Sequence, residues 1–136
     1  MKQIYKITQH SIMKTTINFT PDWQENLTGE LTPGGKFTIN YDESRLTCFR
    51  TSYRGSPSWQ IDVGVQFDDN SQVQYTSLRQ GQNNYLSPVE IDIPANARKV
   101  NIWFENYGYD PYDASGNNNS RCYDSDYGKN YSFQLS

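Results

Sequence analysis

Trp59-Gln60-Ile61-Asp62-Val63-Gly64-Val65-Gln66-Phe67 places an apolar side chain on every second residue, with polar residues or glycine between them. That period of two is the mark of a strand with one buried face. The same alternation recurs in Phe37, Ile39 and Tyr41, in Val89, Ile91 and Ile93, in Val100, Ile102 and Phe104, and in Tyr131, Phe133 and Leu135. Ile17 with Phe19 marks an early strand, Val73 with Tyr75 a further one, and residues 46–53 alternate in the same way. Turn residues separate the runs: Pro33-Gly34-Gly35, Arg54-Gly55-Ser56-Pro57, Asp68-Asp69-Asn70-Ser71 and Pro94-Ala95-Asn96-Ala97. No window sustains a helical period. About seven to nine short strands therefore predict an all-β, immunoglobulin-like antiparallel β-sandwich.

At 136 residues the chain suits one domain with a real core. Residues 13–136 read as that domain, because Met13 is followed directly by a strand-like run. Residues 1–12 read as an extension or an added edge strand. The net charge is −3 and the 12 basic residues are scattered, which argues against nucleic acid as a partner. No run approaches the roughly 18 apolar residues of a membrane span. The first residues, Met1-Lys2-Gln3-Ile4-Tyr5-Lys6-Ile7, lack the apolar stretch of a secretory signal, so cytoplasmic residence is the default. Cys48 and Cys122 are the only cysteines. Paired, they would close a long loop worth roughly 4–5 kcal/mol; in the cytosol they would stay reduced and partly buried.

Aromatic residues make up 15% of the chain although hydrophobic residues are only 35%, and 11 of the aromatics are tyrosine. Tyrosine forms strands well, and it is also enriched where a surface must hold something. One polar, glycine-rich segment interrupts the strand rhythm. Residues 105–123 carry Tyr107, Tyr109 and Tyr112, and a long loop of this kind is commonly functional.

Catalysis finds little footing. His10 is the only histidine, and it lies in the N-terminal segment with no nucleophile to serve. No carboxylate pair stands in a recognisable acid–base context, so the chain is read as a non-enzyme. No cofactor is required. Calcium is a candidate, with Asp110, Asp113, Asp124 and Asp126 as oxygen ligands around one loop, but the spacing fails the EF-hand pattern. A carbohydrate site needs an exposed aromatic platform with Asp, Asn or Gln beside it. Trp103 qualifies, because Val100, Ile102 and Phe104 take the buried face and leave it pointing outward beside Asn101. Trp59 begins an apolar face and reads as core. Trp23, in Pro21-Asp22-Trp23-Gln24, lies in a connection and suits either role.

The segment Tyr123-Asp124-Ser125-Asp126-Tyr127-Gly128-Lys129-Asn130-Tyr131 resembles the closing motif of the starch- and glycogen-binding modules of carbohydrate-binding module family 21, Trp-Asp-Asn-Asn-x-Gly-x-Asn-Tyr. Asp124, Gly128, Asn130 and Tyr131 keep its spacing, while Tyr123 replaces the ligand-stacking tryptophan and Asp126 replaces an asparagine. The chain is also similar to uncharacterised bacterial single-domain proteins with the same closing motif. The module resemblance implies a non-catalytic β-sandwich that binds α-glucans. On that reading Tyr123 and Trp103 stack on sugar, with help from Tyr107, Tyr109 or Tyr112, and Asp124 and Asn130 hydrogen-bond to it. Gly128, Asp124 and Asn130 could equally serve the shape of the turn. The alternative function is a protein-interaction or toxin-accessory sandwich, stabilised by calcium, whose loop meets another protein.

Overall fold

The computed structural model describes residues 14–69, 71–79, 85–111 and 119–136. The segment assigned to residues 1–12, with His10, lies outside them. So do Tyr112 and Asp113.

The strands are β1 (Thr16–Phe19), β2 (Glu25–Thr28), β3 (Lys36–Tyr41), β4 (Ser52–Tyr53), β5 (Ser56–Pro57), β6 (Trp59–Phe67), β7 (Gln74–Ser77), β8 (Val89–Asp92), β9 (Lys99–Tyr109), β10 (Asn119–Asp124) and β11 (Tyr131–Gln134). Among the described residues they form a four-stranded sheet in the order β2-β1-β3-β8 and a five-stranded sheet in the order β10-β9-β6-β7. β11 joins the second sheet through β9, and β4 pairs only with β5. Among the described residues the architecture is all-β, with nine of the eleven strands in two packed sheets. One pair departs from the antiparallel expectation: β3 runs parallel to β1, with Ile17 opposite Ile39. β1 lies between β2 and β3, so the β2–β3 connection passes the end of β1, and it buries Leu31.

β6 and β9 form the spine. Their antiparallel register runs from Trp59 opposite Gly108 to Phe67 opposite Val100. It aligns Val63 with Phe104 and Val65 with Ile102 on the inner face. Ile17, Phe19, Phe37, Ile39 and Ile91 meet them from the other sheet. Phe104 packs edge-on against Phe19 at 4.7 Å, an arrangement that aromatic quadrupoles favour, and it also meets the Tyr41 ring, stacked at 3.8 Å. Trp59 is buried, as its place on the apolar face predicts, and the Arg50 and Arg79 guanidiniums lie over its ring.

Two sequence expectations fail locally, for one shared reason. Residues 46–51 are not a strand, and residues 105–109 and 119–123 are not a loop but the paired arms of a β9–β10 hairpin. Asn106 faces inward, fully buried, and its amide donates to the carbonyls of Cys48 and Phe49. Gly108 leaves room for the Phe49 backbone, which any Cβ there would strike. Phe49 itself turns with φ at 53°. The polar and glycine positions of β9 thus receive a crossing segment instead of an apolar partner, and the strand pattern is hidden. A disulfide joins Cys48 to Cys122 and fastens that crossing segment to β10.

A concave site at the sheet edge and an aromatic outer face

The β1–β2 connection is a tight turn. Thr20 N–H donates to Gln24 O at 3.0 Å and Trp23 N–H to Thr20 O at 3.1 Å. Trp23 adopts φ 63° and stays 56% exposed. Beneath it lies Arg45, at the end of a short 3-10 turn (Glu43–Arg45) that Asp42 caps through Ser44 N–H at 2.9 Å.

Arg45 is fully buried and uses all five of its N–H groups. Nε donates to Asp124 at 3.0 Å. Nη1 donates to the Thr20 and Gln24 carbonyls at 3.1 and 3.0 Å. Nη2 donates to Glu25 at 3.1 Å and to the Tyr131 hydroxyl at 3.0 Å. The Trp23 ring lies 4.7 Å from the guanidinium carbon. Burial disfavours the Arg45 charge, but Asp124 beside it holds the guanidinium above its ordinary pKa.

On the opposite wall, β10 and β11 share one edge of β9. Asp124 pairs with Phe104, and Tyr131 with Ile102. Residues 125–130 therefore leave the sheet beside Trp103. Their backbone coils in the left-handed region: φ is 51° at Asp126, 57° at Tyr127, 88° at Gly128 and 64° at Asn130. Ser125 O closes the loop by accepting from Gly128 N–H at 3.1 Å and Asn130 N–H at 2.7 Å. Gly128 adopts this conformation freely, and Asp and Asn tolerate it. A tyrosine does so at a cost, and Tyr127 is 100% exposed.

Turn and loop enclose a concavity of about 400 Å³, lined by Trp23, Glu25, Arg45, Tyr123, Asp126 and Tyr127 among others. Its rim carries three exposed aromatics and its floor is a closed polar network. Asp124 Oδ2 accepts from Tyr41 at 2.7 Å as well as from Arg45, and Oδ1 accepts from Tyr131. Burial, and then the Asp124 carboxylate, push both phenols well above their usual pKa.

The outer face of the five-stranded sheet adjoins this site through Tyr123, which stands on β10 opposite Glu105 and is 58% exposed. Trp103 stands opposite Gly64 and lies across it, where any Cβ would overlap the indole. On the far side of Gly64 stands Tyr75, half-exposed, its ring edge-on to Trp103 at 6.1 Å. Burial and the nearby Glu105 carboxylate raise the Tyr75 pKa. Arg121 bonds Glu105 at 2.7 Å and covers Tyr107 at 5.0 Å. Gln60 donates to Asp62 at 2.8 Å on the same face.

Residues 3–136 match a family model described as a family of unknown function, DUF6209. The chain belongs to the DUF6209 family. No curated protein and no solved structure matches it significantly.

For this DUF6209 member the geometry sorts the sequence candidates. Trp103, Tyr107 and Tyr123 share the outer face. Tyr109 turns aside to meet Tyr53 edge-on at 5.8 Å. Asp124 faces the protein, its oxygens occupied by Arg45, Tyr41 and Tyr131, so it braces the site from below. Asn130 closes the turn through its backbone. Of the calcium set, Asp113 lies outside the described residues, and Asp110 follows the last β9 residue, roughly 20 Å along the strand from the position opposite Asp124. Among the described residues no three acidic, histidine or cysteine side chains could hold an ion together. Nor, among them, is any helix long and apolar enough to cross a membrane.

Sequence reasoning missed Glu25, Arg45, Tyr75 and Tyr127 as parts of the site. Only Tyr127 left a local signal, a large aromatic directly before the turn glycine.

Proposed function

We propose that this protein is a non-catalytic carbohydrate-binding module of immunoglobulin-like form, whose sugar sits in the concavity between the β1–β2 turn and residues 125–130. One observation carries the reading: Trp23, Tyr123 and Tyr127, all exposed, ring a single concavity with a polar floor. A pyranose ring offers a face of C–H bonds to such rings and hydroxyls to its edge, where Asp126, Ser125 and Glu25 can meet them. Arg45 and Asp124 satisfy each other and keep the floor fixed, which lowers the ordering cost of binding. The Cys48–Cys122 disulfide favours work in an oxidising compartment rather than the cytoplasm taken as default from the sequence. Agreement between the closing motif and the α-glucan modules makes glycogen and cyclodextrin the first ligands to try.

Tryptophan fluorescence during titration with glycogen, cyclodextrin and a panel of neutral oligosaccharides tests the reading. A saturable change in wild type, lost in Trp23→Ala and in Tyr127→Ala with melting temperature unchanged in the latter, supports it. Silence towards every glycan refutes it and points to a protein partner.

A further inference from the structure

The concavity and the outer face meet in a way that defines the shape of a ligand. Residues 125–130 leave the sheet beside Trp103, because β10 ends opposite Phe104 and β11 begins opposite Ile102. From there the register continues straight across the strands, from Trp103 to Gly64 and on to Tyr75. Three strand spacings separate the loop from Tyr75, roughly 14 Å, which is longer than one pyranose ring. Gly64 is what keeps this row low. A side chain there would drive the indole off the sheet, whereas its absence lets Trp103 lie across the strand. Tyr123 lines the concavity and stands on the same outward face as Trp103, so its ring is common to the two surfaces.

The charges narrow the chemistry. Asp62, Glu105, Glu25 and Asp126 line these surfaces. Their arginines are already engaged, Arg121 with Glu105 and Arg45 with Asp124 and Glu25. Among the described residues lining the concavity or standing beside the Trp103–Gly64–Tyr75 row, every arginine is paired; Lys129, exposed within residues 125–130, is not one of the residues that line the concavity.

We propose that the concavity and the Trp103–Gly64–Tyr75 row form one continuous track, which holds an uncharged glycan chain across the strands by its length rather than by its end. The inference rests on the carbohydrate reading above. It adds the ligand's form, its charge class, and two residues, Gly64 and Tyr75, with no previous role.

The test is a ladder of neutral oligosaccharides, maltose to maltohexaose and cellobiose to cellohexaose, titrated by calorimetry into wild type, Trp103→Ala, Tyr75→Ala and Gly64→Ala. Oligogalacturonates serve as the anionic arm. Wild-type affinity is expected to rise at least about ten-fold from disaccharide to pentasaccharide on the ladder that binds, with no binding of the anionic series. Each variant is expected to flatten that rise while leaving disaccharide affinity unchanged. The Tyr75→Ala variant carries the test if Gly64→Ala folds poorly, because Tyr75 is a surface side chain. Equal affinity for short and long chains, with Trp23→Ala still abolishing both, overturns the track and leaves the pocket reading standing. Preference for the anionic series overturns the charge class. Binding to no oligosaccharide overturns the pocket reading, and the track with it.

Discussion

Arg45 Nε stands 3.0 Å from Asp124 Oδ2, and the two side chains are 0% and 4% exposed. The pair ties the β1–β2 turn to the β10–β11 edge, elements that share no backbone ladder. Removing one partner strands the other as a buried charge, which typically costs about 3–5 kcal/mol. Arg45→Met and Asp124→Ala should each lose that much stability in urea unfolding. Arg45→Met should also free the Trp23 ring, seen as a red shift of its fluorescence. A loss under about 1 kcal/mol in both would show that the pair is not needed for folding.

The same network sets an alkaline limit. Tyr41 and Tyr131 have pKa values raised by burial and by Asp124 above the usual 10.0. Below that pH both phenols keep their protons in the folded and the unfolded chain, and their stabilisation is fully present. Above it the unfolded chain releases protons that the folded chain retains, so stability falls as pH rises. Each phenol contributes a slope of up to about 1.4 kcal/mol per pH unit. Tyr41→Phe and Tyr131→Phe should each remove one proton from the slope measured between pH 10 and 12. An unchanged slope in both variants would contradict the assignment.

How far the sequence could be read depends on the range of the interaction. The period of two in residues 59–67 and 100–104 is local, and it places those side chains on the core face directly. Gly128 is local too, and its positive φ agrees with a turn-builder. Arg45 could not be read in this way. Asp42-Glu43-Ser44-Arg45 looks like a solvated charged turn, and its burial depends on partners 20 to 86 residues away. Asn106 misleads for the same reason. A polar residue on an inner face signals a loop unless the segment it bonds, Cys48 and Phe49, is already known to cross there. Trp103 read correctly as outward-facing, but that it lies flat required knowing that Gly64 is its neighbour.

Cys48 and Cys122 are separated by 74 residues. Closing a loop of that length restricts the unfolded chain by about 4–5 kcal/mol in the chain-entropy model. The Cys48→Ser/Cys122→Ser double variant should fall by about that amount in denaturant midpoint analysis. Hydrogen exchange should rise first in β10, which the bridge fastens to the crossing segment. Equal protection of β10 in both forms would mean that the hairpin holds without its staple.

Tyr127 separates shape from function most cleanly. A non-glycine residue in the left-handed region costs roughly 1–2 kcal/mol, and glycine's extra freedom in the unfolded chain returns roughly 0.5–1 kcal/mol of that. Tyr127 has φ 57° and a wholly exposed side chain, so no packing offsets the cost. Tyr127→Gly should therefore raise stability by about 0.5–1 kcal/mol. Gly128→Ala, at φ 88° with open space around the added methyl, should lower it by about 1–2 kcal/mol through the backbone alone. If the tyrosine is kept for a ligand, Tyr127→Gly should be the more stable protein and the weaker binder, with glycan affinity down by at least about ten-fold, or 1.4 kcal/mol. A variant that gains stability and binds as wild type would remove Tyr127 from the site. One that loses stability would give its side chain a structural role that its full exposure does not suggest.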